Sequence, residues 1–200
     1  MPTTSDTNYD QTSGHVHTHT RAGDPVAWRL HDPNNPDRYG VPGVMIGGAD
    51  TGKSHLARTI LDAICHAPIQ RWVATDIPDG YPNTGYDRVS STRHEASRLV
   101  ASADELVARR LQRPGQRWPL LVMVIDTADT VLASSELREQ ATRLVADGPR
   151  VGISAVLLAN TGQMSISFGG CRELRDAAAD QVVNLSTDRL DQMLLPTRFV

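Results

Sequence analysis

The octet Gly47-Gly48-Ala49-Asp50-Thr51-Gly52-Lys53-Ser54 narrows the possible folds more than any other stretch of the chain. It matches G-x-x-x-x-G-K-[ST] at every fixed position, and its surroundings match as well. Val44-Met45-Ile46 just before it is a short apolar run of the kind that forms a buried strand. From Ser54 to His66, Leu56, Ile60, Leu61 and Ile64 recur on one helical face, and Pro68 closes the pattern. A strand, a glycine turn and a helix N-terminus in that order make a concavity of inward-pointing N–H groups backed by the positive end of a helix dipole. Such a cradle holds phosphate. In this chemistry Lys53 reaches the β- and γ-phosphates of a nucleoside triphosphate, and the Ser54 hydroxyl ligates Mg2+. Of the twenty basic residues only Lys53 is a lysine. In a chain that otherwise uses arginine, a compact ammonium stands where a planar guanidinium would not fit.

The rest of the chain alternates strand and helix patterns, which implies an α/β fold with a mostly parallel sheet and helices on both faces. Further strands are predicted over 26–30, 71–75, 120–125, 154–159 and 181–185. The run Leu120 to Ile125 is continuously apolar, as a strand covered on both faces should be. Thr92-Arg93-His94-Glu95 reads as a capping box opening a helix through Leu111. Ser134 or Ser135 caps another helix that Gly148-Pro149 stops, and residues 172–179 and 188–194 complete the helical patterns. Residues 1–24 are polar and unpatterned, so a disordered leader is expected there, with 25–200 as one P-loop NTPase domain.

Asp126 ends the most apolar strand and stands where a Walker-B carboxylate would hold the magnesium water shell. Thr127 follows it, and a threonine cannot accept a proton at neutral pH. Asp129, two residues on, is the alternative base, unless it is a loop carboxylate. Asn160, at the end of the 154–159 strand, is either a polar sensor for the γ-phosphate or a turn amide. The candidate catalytic residues are therefore Lys53, Asp126, Asp129 and Asn160. Gly47 to Ser54 bind the nucleotide, and Ser54 and Asp126 take the metal. No guanine-reading [NT]KxD motif occurs, which points to ATP.

Composition bounds the partners. A formal net charge of −3 and a pI near 6.1 give no overall basic field for nucleic acid. Arg109, Arg110, Arg113 and Arg117 form a local basic cluster, either phosphate-touching or a solvated helix end. His15, His17 and His19 fall on one side of an extended chain, a weak metal signal in a polar stretch. Cys65 and Cys171 fit no metal spacing and read as small buried residues of a reduced, cytoplasmic protein. No signal peptide or spanning apolar run is seen, so membrane contact is expected only through a partner.

The order of these motifs resembles the FtsK/SpoIIIE family of DNA-pumping ATPases, within the HerA-type, RecA-like group. Val44 to Ser54 is similar to the family's P-loop strand, and Thr75-Asp76-Ile77-Pro78 to its second strand. Ala108-Arg109-Arg110 is similar to an arginine-bearing helix ahead of the Walker-B block, which Ile125-Asp126-Thr127-Ala128-Asp129 resembles. Gly152 to Asn160 looks like the family's glycine-led strand ending in a sensor, and Asp180 to Leu195 like its closing strand and helix. The resemblance implies ATP and Mg2+, hexameric rings, double-stranded DNA as cargo, and an arginine supplied by a neighbouring subunit, for which Arg150 and Arg172 are candidates. Thr127 stands at the family's glutamate position, Asn160 at its sensor glutamine, and Pro149 where an arginine is usual. Multi-ATPase subunits of type VII secretion resemble the same family and often carry altered Walker motifs. Three readings follow: a DNA translocase core, a catalytically weak nucleotide-binding switch or assembly subunit, and a type VII secretion-like accessory ATPase.

Overall fold

The computed structural model describes residues 7–82, 85–160, 168 and 171–185. Among the described residues nine strands form two sheets. The larger has six strands: β4 (Gly43–Ile46), β5 (Gln70–Ala74), β6 (Arg88–Val89), β7 (Leu121–Ile125), β8 (Ile153–Ala159) and β9 (Val182–Asn184). Their spatial order is β6-β5-β7-β8-β4-β9, and every pairing is parallel. Parallel strands need crossovers on the sheet faces, and those crossovers bury both sides. Hence β4, β7 and β8 are buried at every position.

Five helices supply most of the cover: α1 (Lys53–Ala63), α2 (Arg93–Leu111), α3 (Ala128–Val131), α4 (Ser135–Asp147) and α5 (Arg172–Ala178). Along each strand, alternate side chains serve opposite faces. Leu121, Met123 and Ile125 of β7 join Ala96, Val100 and Ala103 of α2 and Leu144 of α4 in one core. Val122 and Val124 join Leu56, Ile60 and Leu61 of α1 in the other. Thr92 caps α2 through its hydroxyl, which accepts from the Glu95 N–H at 3.3 Å. The Glu95 carboxylate reaches back one residue further than a standard box, to the Ser91 N–H at 3.0 Å. Ser134, rather than Ser135, caps α4. The expected helix over 188–194 lies outside the described residues.

The expected disordered leader is instead structured over residues 7–24. Asn8–Asp10 and His15–His19 are strands β1 and β2, paired antiparallel with each other, and β2 pairs antiparallel with β3 (Pro25–Arg29). Polar composition hid them because only one face is buried. Val16 and Thr18 of β2 and Val26 and Trp28 of β3 point inward, while His17 and Ala27 are exposed. This small sheet packs beside α1 on the same face of the large sheet, in one core with Met45, Val156 and Leu158. Trp28 is fully buried against Gly43, where a Cβ would lie 2.7 Å from its ring, so β4 must begin with a residue that has no side chain.

Two other expectations change. Cys65 is exposed, on the turn after α1, and Cys171 is half-buried at the start of α5, so neither is a core residue. Arg110 is not solvated. It is 4 % exposed, and its Nη1 donates to the carbonyls of Val151 at 2.8 Å and Pro119 at 3.2 Å.

Candidate nucleotide site

The sheet order itself assembles the site. β7, β8 and β4 are neighbours, and their carboxyl ends carry Asp126, Asn160 and Gly47 in that order. In open α/β sheets ligands bind in this crevice outside the carboxyl ends of the strands. The octet turns there and feeds α1. Gly52 has φ of +96°, a left-handed conformation that a Cβ would strain, and it stands as the N-cap of α1. The Thr51 hydroxyl donates to the Gly48 carbonyl at 3.0 Å and fixes the turn.

Lys53 is 8 % exposed. Its Nζ donates to the carbonyls of Gly47 at 2.6 Å and Gly48 at 2.8 Å and to Asn160 Oδ1 at 3.2 Å. Burial pushes its pKa below the ordinary lysine value, while the carboxylates of Asp126, Asp129 and Asp50 pull it back up. Asn160 turns its amide outward to Asp129 Oδ2 at 2.8 Å, so Lys53, Asn160 and Asp129 form one hydrogen-bonded chain. The other Asp129 oxygen, Oδ1, is buried with no hydrogen-bond partner, which leaves a lone pair available at the site. Ser54 stands half-exposed in the first turn of α1, and its hydroxyl makes no hydrogen bond among the described residues.

Asp126 is 1 % exposed. Its Oδ1 accepts from the Thr127 N–H at 2.8 Å, and its Oδ2 from the Tyr81 hydroxyl at 3.0 Å. Tyr81 was not legible in the sequence, since it sits in the Pro/Gly-rich loop after β5. Burial, reinforced by the Asp126 charge, holds its phenol protonated well above the ordinary pKa, so it is the donor. The Arg58 guanidinium of α1 lies 5.9 Å from the Tyr81 ring centre. Tyr81 thus ties the Walker-B strand to the P-loop helix.

Thr127, next to Asp126, is committed to neighbouring backbone and to Asp76. Its φ is +53°, an uncommon conformation for a β-branched residue, costing about 1–3 kcal/mol. Its hydroxyl donates to the Asp76 carboxylate, which also accepts from Thr130 at 2.8 Å. The two threonines clamp the ends of β5 and β7 together. Asp129 is the carboxylate brought into the Lys53 network.

A second residue missed in the sequence comes from the small sheet. Arg21 stands in the turn after β2, which is closed by Thr20 N–H to the Asp24 carbonyl at 2.8 Å and Gly23 N–H to the Thr20 carbonyl at 2.9 Å. A Cβ built on Gly52 would lie 3.3 Å from Arg21 Cβ and 3.9 Å from its Cδ. Arg21 is exposed, and no ion pair engages it among the described residues. Arg21, unpaired among the described residues, therefore packs its stem beside Gly52 of the octet.

The residues fit a magnesium ion brought in by a nucleotide. Among the described residues no group of three or more His, Cys, Asp or Glu side chains could hold a metal alone, and that includes His15, His17 and His19. Mg2+ characteristically takes one or two protein oxygens plus phosphates, and Ser54 and Asp126 are the residues that would hold it here. Arg150 and Arg172 are both exposed, and among the described residues they pair with Asp147 at 3.8 Å and Asp176 at 3.4 Å. Tyr39 is stacked on His31, with ring centres 4.7 Å apart, and is not at the nucleotide loop. No described helix is long and apolar enough to cross a membrane.

The chain matches no protein-family model and no curated protein sequence. Solved structures do match. The cytoplasmic domain of the type VII secretion ATPase EccC from Thermomonospora curvata aligns over 92 % of this chain with a TM-score of 0.67 and 17 % identity. The cytoplasmic domain of EssC aligns over 92 % with 0.62 and 14 %. The pCW3 conjugation coupling protein TcpA, in its monomer form with ATPγS, aligns over 86 % with 0.58 and 12 %. The chain spans 25 %, 39 % and 56 % of those three chains. At such identities the likeness is one of fold: an α/β P-loop ATPase fold with a parallel sheet.

Proposed function

We propose that the chain binds ATP with Mg2+ at Gly47 to Ser54 and acts as a motor ATPase of the FtsK/SpoIIIE type, one subunit of a ring that moves double-stranded DNA. The observation that carries this reading is the convergence of Lys53, Asp126, Asp129 and Asn160 at the ends of three adjacent strands. The Lys53 ammonium is held by loop carbonyls that a triphosphate would displace, and Arg21 adds a second cation beside the same loop. Bound Mg2+ would neutralise the phosphate charge and polarise the γ-phosphoryl group. On this reading Asn160 orients the nucleophilic water and Asp129 accepts its proton through the free Oδ1. The likeness in fold to a conjugation coupling protein and to secretion ATPases supports a transport motor over a metabolic kinase.

A second reading rests on Thr127. With that side chain committed to Asp76, the site lacks the usual base next to the Walker-B aspartate. The chain is then a nucleotide-binding switch whose ATP orders an interface. Steady-state ATP turnover with and without double-stranded DNA separates the two. Turnover raised by DNA supports the motor. Tight ATP binding with turnover no faster than in Lys53→Ala supports the switch, and stimulation only by a protein substrate supports a secretion role. Lys53→Ala removes charge-assisted contacts worth about 1.5–3 kcal/mol each, so ATP affinity should fall by about a hundredfold. Unchanged affinity refutes the site.

A further inference from the structure

Four arginines meet at the end of the parallel sheet opposite the P-loop. They line a cleft of about 610 Å³ between the end of α2, the loop leading into β7 and the turn leading into β8. The seven residues of β8 separate this cleft from the nucleotide crevice by about 20 Å. Arg110, Arg113, Arg117 and Arg150 face one acidic lining residue, Asp37.

Arg110 is the anchor. It is almost wholly buried, and its hydrogen-bond partners are neutral carbonyls. The Arg110 guanidinium carbon lies over the Trp118 ring, 5.4 Å from its centre. The Arg110 Nε is buried with no hydrogen-bond partner among the described residues. Among the described residues no carboxylate pairs with Arg110, Arg113 or Arg117, and the Asp147 contact of Arg150 is long and exposed. A buried charge without a counter-charge is expensive, and guanidinium does not escape by losing its proton. The cleft therefore carries an uncompensated positive charge in a cavity of small-ligand size. Four cations against one anion call for a ligand with more than one negative charge, and guanidinium forks match phosphate oxygens bidentately.

We propose that this cleft binds a phosphate-bearing ligand, either a free phosphoester or the phosphates of a nucleic-acid backbone. Arg110 and Trp118 form its fixed floor, and Arg113 and Arg117, both exposed, close on it from the rim. The site does not depend on the P-loop reading.

The test uses the full chain carrying Lys53→Ala, titrated with pyrophosphate and, separately, with a short DNA duplex. Pyrophosphate should bind, and the added double change Arg113→Gln/Arg117→Gln should weaken it by about tenfold or more. Asp37→Asn should tighten it, which guards against a loss caused by misfolding. In a chain with Lys53 intact, the double change should leave ATP affinity where it was. A duplex that competes with pyrophosphate and is lost with the same arginines identifies a nucleic-acid backbone as the source, whereas a duplex that does not compete identifies a free phosphoester. Failure of pyrophosphate to bind, binding indifferent to Arg113, Arg117 and Asp37, or stronger binding of poly-glutamate than of pyrophosphate would each overturn the proposal.

Discussion

The two sheets of this molecule are built on different terms. In the parallel sheet β7 and β8 are buried at every position, and parallel pairing requires the chain between them to cross over through helices. The antiparallel sheet is made of consecutive strands, is buried on one face only, and shows imidazoles on the other. The first encloses its own core; the second has a hydrophobic face only because the first lends it one. What this teaches is where dependence lies. The candidate nucleotide crevice belongs to the large sheet, but Arg21, packed beside its Gly52, is delivered by the small one.

The largest test of that dependence is Trp28→Ala. Emptying the contact between the sheets should cost about 3–5 kcal/mol. Hydrogen exchange should then show β1 to β3 opening while β7 and β8 stay protected; uniform loss across both sheets would mean they form one cooperative unit. Next is Tyr81→Phe, which strips the buried Asp126 Oδ2 of its donor and should cost about 1–3 kcal/mol, measured by denaturant midpoint. If stability is unchanged, the tie between the Walker-B strand and the α1 face is not a mechanical one. Arg21→Gln should leave stability alone and weaken ATP binding by about fivefold, equivalent to about 1 kcal/mol. An unaltered ATP titration would confine the small sheet to a structural part.

The smallest effect is pH-dependent and concerns His31. Its ring is 4 % exposed, contacts Tyr9 Oη at 3.0 Å through Nε2, and stacks on Tyr39. Burial holds its pKa below the ordinary 6.5, with Asp32 pulling upward and His15 downward. The folded chain therefore favours neutral imidazole, and the unfolded chain takes the proton first as pH falls. This contribution is complete above pH 6.5 and is lost as acidification carries the pH down towards the folded value. A near-ultraviolet signal from Trp28 should weaken over that window, and His31→Gln should flatten the dependence.

Much of the large sheet was legible because burial on both faces writes itself as runs of apolar residues. Leu120 to Ile125 and Ser154 to Ala159 could hardly be anything else. The octet was legible for a different reason, since its glycines and lone lysine are chemical demands. Of the small sheet only β3 was legible, and β1 and β2 were not. With Val16 and Thr18 alternating with three histidines, the β2 pattern has too few apolar positions to stand out from a solvated tail. The burial of Arg110 was not legible because one side of a helix end gives no sign of the carbonyls that fold over it from residues 119 and 151. Tyr81 and Arg21 act through loops, whose placement depends on everything around them. Asp129 and Asn160 were flagged separately from their strand ends; only the strand order shows that they touch.

The position of β4 has a consequence for how the protein is made. Gly43 pairs with Val156, and Val44 with Val182, so the strand that carries the P-loop has no partner in the first half of the chain. As the polypeptide leaves the ribosome, Val44, Met45 and Ile46 emerge early and wait for strands synthesised much later. The turn at Gly47 to Ser54 therefore gains its full support from the sheet only after β8 and β9 have arrived.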